Sequence, residues 1–462
     1  MVVLGAAAAA AAYFLVIKPP GDISNPNVPF IGPSPTPAAK TPKTKVNPDA
    51  FVWPNYGYTS DHRRQFGDGV NGPFRVKWLH RAPALTEFPP AISKGRIFQL
   101  ADNGRLVAMK LETGKILWRR GLGSLSASSP AVVGGRVYVT ILEGARGSGR
   151  GRIVCLREQG GKVLWSHTLP SRSESSPLVD GGRVYFGSEG GTVYGLDART
   201  GHQDWTYQAA GPVKGSPTLS DGLLYFGDYG GQVQAVRARD GAKVWTSSAG
   251  KGLVRSGHFY ATAAVAFGRV YIGSTDGRAY SFSAKDGRVA WAHQTGRYVY
   301  SSAAVDNVNG AGPMVFFGSY DGTFYALDAR SGRQRWTFRS GGKISGSPTI
   351  VGDTVYFSDL GRSMTFGLKT RGGKLAFRYK VGAYDPIVSD GTNLYLTGNR
   401  SLTALQPRRL YQKLRSAKQK KVRNKKALAR KLVSPAWPSG CRQLAPCGPL
   451  TAVRNRRTRL VG

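Results

Sequence analysis

The sequence predicts an all-β fold: an eight-bladed β-propeller of four-stranded antiparallel blades, with its last blade closed by an N-terminal strand and an N-terminal apolar helix ahead of it. Three observations predict this. Tryptophan recurs at 78, 118, 165, 205, 245, 291 and 336, 40 to 47 residues apart, and Phe377 takes the next place. The text between these marks keeps a fixed order. No segment from about residue 80 to 405 carries a long 3.6-residue periodicity.

Each period opens on a small-residue step, as in Ser128-Ser129-Pro130, Ser175-Ser176-Pro177 and Gly346-Ser347-Pro348. A Gly turn follows, then an alternating apolar run such as Val184-Tyr185-Phe186. Next comes an Asp-Gly or Gly-Gly turn, as at Asp276-Gly277 or Gly190-Gly191, and a second run such as Phe324-Tyr325-Ala326-Leu327. Another Gly turn (Gly114, Gly201, Gly241, Gly287, Gly332) leads to the last run and its Trp. Alternating runs mark strands and the dipeptides mark tight turns. Four strands repeating every 40-odd residues describe a propeller blade. One such sheet cannot bury both faces, so blades must stack, with the large aromatic wedged between neighbours. Seven complete units run from about Phe88 to Phe377. An eighth starts at Tyr384-Asp385-Pro386 and stops after three strands. The strand it lacks stands at the other end, "FRVKWLH", Phe74 to His80, with Trp78 as its aromatic. Pairing the two joins the termini and removes open sheet edges.

The recurring text "SP…G…VYFGS…GG…Y…LDA.TG…W" resembles the quinoprotein-type (PQQ-like) β-propeller repeat, over residues 52 to 405. "FVWPNYGYTSDHRRQF" is similar to the lead-in of that family. The resemblance implies eight blades. Its enzymes hold pyrroloquinoline quinone between a Trp and a disulfide of adjacent cysteines, with Ca²⁺ and an Asp base. This sequence has no adjacent cysteines, since Cys155 stands alone and Cys441 and Cys447 lie beyond the propeller. No cofactor or metal is therefore expected. Other members are non-catalytic: a propeller subunit of the bacterial outer-membrane β-barrel assembly machinery, and extracytoplasmic sensor propellers on membrane receptors.

The flanks differ from the repeat. Residues 1–18 hold an unbroken apolar run from Val2 to Ile17, read as a membrane anchor or uncleaved signal that is shorter than a full span. Residues 19–50 read as a Pro-rich stalk unable to pack a core, and 51–406 as the propeller. Residues 407–462 form a tail with 17 Lys or Arg and no acid, disordered or partly helical. "LYQKLRSAKQKKVRNKKALARKLV" in it could form a basic helix. The formal charge of +39 favours polyanions, anionic lipid or a cell-wall polymer. Nucleic acid is not the expected partner of an exported chain. Cys441 and Cys447 could pair in an oxidising compartment.

The turn residues Asp197, Asp276, Asp321 and Asp328 sit at equivalent places and are read as turn formers. Function is sought where repeats differ. The position three before each Pro step is expected at the mouth of the channel. It reads Glu87, Ala127, Glu174, Lys214, Tyr260, Tyr300, Ser345 and Ala383. With neighbouring loop residues, the expected partner-binding rim is Glu87, Glu174, Lys214, Arg255, His258, Tyr260, Tyr298, Tyr300, Lys343, Tyr384 and Asp385. Mixed charge and tyrosines suit a protein, peptide or glycan of the envelope; the plainer alternative is an ordinary solvated rim. Three classes of function stay open: a non-catalytic binding or scaffold propeller, a quinone-dependent dehydrogenase, and a polyanion or anionic-membrane binder acting through the tail. The first is the expectation, at the cell membrane with a single-pass anchor and the propeller extracytoplasmic.

Overall fold

Each repeat folds into one antiparallel meander, because its strands are short, apolar and separated by turns rich in glycine with positive φ. The computed structural model describes residues 22–32, 51–67, 69–142, 149–248, 257–382, 384 and 387–433. The N-terminal apolar run and the tail after 433, with Cys441 and Cys447, lie outside the described residues. Among the described residues no helix is long and apolar enough to cross a membrane.

Eight sheets form, as expected. Blades one to seven span Ala91–Gly121, Ala131–Leu169, Leu178–Gln208, Thr218–Ser248, Ala264–Gln294, Ala304–Arg339 and Thr349–Tyr379. Blade eight takes three strands from Val388 to Pro407 and its fourth from Phe74–Arg81, paired antiparallel from Ser401↔Arg81 to Pro407↔Phe74. Opening the ring would break this whole ladder.

Alternation along the strands serves two neighbours at once. In blade three, Val184 and Phe186 pack into a cluster with Tyr138 of blade two, while Tyr185 packs with Leu224 and Phe226 of blade four. Both faces of the middle strands are therefore buried, more than the half-burial that alternation alone implies. The wedge is concrete. Trp291 Nε1–H donates to the Ala329 carbonyl of the next blade at 3.0 Å, and Trp78, Trp118, Trp165, Trp205, Trp245 and Trp336 repeat the bond around the ring. Each ring lies against the turn glycine of the following unit, leaving no room for a side chain there. Across its own sheet each Trp faces a small residue, and in blade two this is Cys155 opposite Trp165. Burial raises the Cys155 thiol to about 11, consistent with an inert packing role.

The lead-in does more than precede the ring. Val52–Trp53 pairs with blade one, and Gln65–Phe66 runs parallel to the inner strand of blade seven. Between them the chain passes the inner strands in order. The amides of Val132, Val179, Leu219, Val265, Val305 and Ile350 donate in turn to Pro54 O, Asn55 Oδ1, Ser60 O, Asp61 O, Arg63 O and Arg64 O, at 2.8 to 3.2 Å. One segment thus visits seven blades and closes one end of the channel. Tyr58, His62 and Arg64 adopt positive φ to make the bends. His62 is buried, bonded to Thr218 Oγ1 at 2.9 Å, and held neutral, its pKa lowered to about 3 by burial and then by Arg64.

The Pro-rich stretch differs from expectation at 22–32. Ile23–Ser24 adds a fifth strand to the outer edge of blade five, and Val28 is buried. Arg269 donates to Pro29 O at 2.6 Å and Val28 O at 2.6 Å, while Phe30 packs on Phe267. An open outer edge offers unpaired backbone groups, and this stretch satisfies some of them. By itself, the second unit (Leu410–Gly462) contains most of a helix running Arg408–Val433, twelve of whose 26 residues are Lys or Arg.

The Trp–Gly contact predicts a graded cost. Gly332 has φ +72° and an added Cβ would stand 2.7 Å from the Trp291 ring, whereas Gly222, at φ +75°, has open space. Gly222→Ala should cost about 1 kcal/mol for backbone strain alone. Gly332→Ala should cost about 2 kcal/mol or more, because the indole must shift as well. Urea unfolding of the two variants reads the difference, and equal losses would refute the wedge.

Candidate functional site

At the end of the channel away from most of the lead-in, the loops before the inner strands converge on a cavity of about 200 Å³. Its wall begins with the small-residue steps. The residue before each Pro position bonds to its counterpart in the next blade. Ser129 N donates to Ser176 Oγ, Ser216 N to Thr262 Oγ1, Thr262 N to Ser302 Oγ and Ser302 N to Ser347 Oγ, at 2.9 to 3.0 Å. The Ser-Pro text is thereby committed to a hydrogen-bonded hoop. Tyr56 of the lead-in also lines the cavity; its hydroxyl shares a 3.1 Å hydrogen bond with Ser347 Oγ, and the Arg64 guanidinium lies 3.9 Å from its ring centre.

The residues that vary between repeats crown this hoop. Glu87, Glu174, Lys214, Tyr260, Tyr300 and Tyr384 of the expected rim all line the cavity, as does Ser345. Ala127 lines an adjoining cleft that shares Glu87, Glu174 and Lys214. Three others brace the wall. Tyr298 meets Tyr300 edge-on at 5.8 Å, Lys343 lies 5.8 Å from the Tyr320 ring centre, and His258 stacks on Tyr229 at 5.0 Å. Arg255 and Asp385 lie outside the described residues, as do the rest of 249–256 and residues 143–148.

Two walls of different chemistry result. Blades four to six contribute tyrosines in mutual contact: Tyr229–Tyr260 at 6.2 Å, Tyr260–Tyr300 at 5.5 Å and Tyr300–Tyr320 at 4.8 Å. Burial pushes Tyr229, Tyr260 and Tyr300 upward, so the phenols stay neutral. Blades one to four contribute charge. Lys214 Nζ lies 3.1 Å from Glu174 and 3.2 Å from Glu189, and Arg172 lies 3.8 Å from Glu189. Burial raises Glu174 despite Lys214. At Glu189 burial also pushes upward but is outweighed by hydrogen bonding to Glu174 and by Lys214, so its pKa falls. Glu87 is raised by burial, then by the charges of Glu174 and Asp102.

Sequence reading missed Tyr56, Glu189, Tyr229 and Tyr320. The last three share one repeat position, two residues before the Gly of the second turn. It reads Asp102, Glu189, Tyr229, Thr275 and Tyr320 in five of the blades. Its variability was a usable signal. The turn aspartates do serve their own loops: Asp321 Oδ1 accepts from Thr323 N at 2.7 Å and Asp197 Oδ1 from Thr200 N at 2.7 Å.

The fold and cavity define a closed-floor, eight-bladed propeller with one chemically distinctive mouth. A family model described as outer membrane protein assembly factor BamB matches residues 74–145, 144–246 and 302–434, more than half of the chain. The chain belongs to that family of PQQ-like propellers. No curated protein sequence matches it. Among solved structures it is similar to BamB from Moraxella catarrhalis, with 19% identity, TM-score 0.57, and coverage of 72% of this chain and 99% of that one. It is also similar to the quinohemoprotein alcohol dehydrogenase ADHIIG from Pseudomonas putida HK5, with 12% identity, TM-score 0.65, and coverage of 78% and 80%. A europium-containing methanol dehydrogenase is 13% identical, with TM-score 0.64 and coverage of 77% and 98%. At these identities the likeness establishes the fold.

The described residues do not fit the quinone of the dehydrogenases. The seven repeat tryptophans are bonded between blades, and the one described cysteine, Cys155, is buried beneath Trp165 in blade two. The cavity presents tyrosine, serine, carboxylate and lysine side chains instead.

The raised Glu87 carboxyl predicts a stability cost. A carboxyl whose pKa is higher folded than unfolded stabilises the fold below its unfolded pKa and loses that contribution as pH rises through the folded value. Glu87→Gln should therefore melt higher than the wild type at pH 7, with the gap closing as pH falls through the raised pKa. A lower melting temperature at pH 7 would contradict the burial of an unpaired charge.

Proposed function

We propose that this protein is a non-catalytic binding or scaffold propeller of the bacterial cell envelope, which captures a protein segment, peptide or glycan at the channel mouth. One observation carries the reading. Six of the eight positions three before the Pro step, Glu87, Glu174, Lys214, Tyr260, Tyr300 and Ser345, converge on one cavity, while the repeated residues are engaged in hydrogen bonds and packing that hold the ring. Membership of a family described as an outer membrane assembly factor supports a role in assembling other envelope proteins. The apolar run from Val2 to Ile17 serves in this reading as a single-pass anchor, with the propeller extracytoplasmic. Pairing of Ile23–Ser24 with blade five then leaves only residues 18–22 between anchor and propeller, so the propeller rides close to the membrane instead of on a long stalk.

A second reading has its own support. The helix Arg408–Val433 carries no acidic residue, and Leu414 and Val422 are exposed on it, which suits an anionic lipid or cell-wall polymer. Deleting 407–462 would abolish salt-dependent binding to anionic vesicles and leave partner capture at the mouth intact.

The reading makes a direct demand on the cavity. The double variant Tyr260→Ala/Tyr300→Ala should fold, by its thermal melt, and recover at least about tenfold less cross-linked partner from intact cells, since buried aromatic anchors dominate interfaces. Undiminished capture by the folded variant would move the site elsewhere. Steady dye reduction on adding pyrroloquinoline quinone, Ca²⁺ and an alcohol would restore the enzyme alternative.

A further inference from the structure

The cavity already holds one cation of its own. The Lys214 ammonium sits between the Glu174 and Glu189 carboxylates, 5.5 Å from the Tyr229 ring centre. Carboxylate plus aromatic face is a recognised way to hold an ammonium or guanidinium group. Lys343, beside Tyr320, repeats the aromatic half of this arrangement. Glu87 does not follow suit. It lines the same cavity with Tyr260 and Tyr384, yet makes no hydrogen bond or ion pair among the described residues. Nor does any cationic side chain lie over the Tyr260, Tyr300 or Tyr384 ring among the described residues. In a chain of formal charge +39, a carboxylate without an ion-pair partner among the described residues, in a cavity shared with Tyr260, Tyr300 and Tyr384, is an exception to the general charge.

We infer that Glu87, with the tyrosine faces beside it, is the seat for a cationic side chain of the captured partner: a lysine or arginine presented by a protein or peptide segment. The inference rests on the mouth being the binding site and adds the chemistry of what enters it. Burial, and then the charges of Glu174 and Asp102, raise the Glu87 carboxyl. A cation arriving there would relieve that repulsion, and tyrosine supplies the desolvated walls that strengthen the pair. Lys214 and Arg172 do not compete for Glu87, because both are engaged by Glu189 or Glu174. A glycan, which lacks a fixed positive charge, would gain nothing from Glu87.

The test uses the full chain and two ring-bearing probes of opposite charge, benzylammonium and benzoate, followed by ligand-observed NMR titration. Benzylammonium should bind saturably, with a Kd on the order of millimolar for so small a ligand. Glu87→Gln should weaken it about tenfold or more, since it removes the charge and keeps the shape. Tyr384→Ala, a substitution at a half-exposed ring, should weaken it too, and benzoate should show no saturable binding. Benzoate binding as well as benzylammonium, unaltered binding by Glu87→Gln, or no saturable benzylammonium binding would each overturn the inference. Loss of partner capture in the Tyr260/Tyr300 double variant would stand whatever these titrations show, so failure of the cation seat and failure of the mouth are told apart.

Discussion

Eight sheets arranged around an axis turn eight strand edges toward that axis, and every edge carries backbone amides that must find acceptors once water is excluded. The rest of the structure depends on how that requirement is met. At one end the lead-in supplies acceptors to blades two through seven in sequence, from Pro54 to Arg64, and strand pairs to blades one and seven. At the other, the serine and threonine side chains of the Pro steps accept from the neighbouring blade. The channel becomes a blind cavity with a satisfied wall.

A satisfied wall leaves the residues just outside it free to vary. Trp, turn Gly, Ser-Pro step and small cross-strand residue are each engaged in a contact that recurs around the ring. None can change without cost. The loop positions three before each Pro, and those two before each second-turn Gly, carry no such duty. They hold glutamate, lysine and tyrosine side by side, a mixture that scaffold building does not require. Division of labour between repeated and unrepeated text is what makes a propeller a platform for binding.

Much of this was legible in the sequence, and for stated reasons. The Trp interval marked the blades because an indole meets a turn glycine at seven of the eight blade junctions. The orphan strand "FRVKWLH" implied ring closure because the eighth unit lacked its fourth strand. The rim was legible as a register of differences, which brought Glu87, Glu174, Lys214, Tyr260, Tyr300 and Tyr384 to one cavity. Tyr56 was not legible, since it lies outside the repeat register and the lead-in binds the blades mostly through main-chain carbonyls. Residues 22–32 read as spacer for the same reason: edge pairing by Ile23–Ser24 is a backbone event. The helix from Arg408 has only a broken apolar stripe, so its local propensity, more than its periodicity, accounts for it.

The central claim is that unrepeated positions at the mouth, and not the repeated blade surface, meet the partner. A photo-crosslinking residue placed singly in intact cells tests it most directly. The positions are Tyr298, Tyr384 and Lys343 around the mouth, Leu117, Leu164 and Val244 on exposed outer strands, and Ser220 near the lead-in end. The account predicts one discrete crosslinked product, confined to the mouth positions. The same product from the outer-strand positions, with none from the mouth, would contradict it.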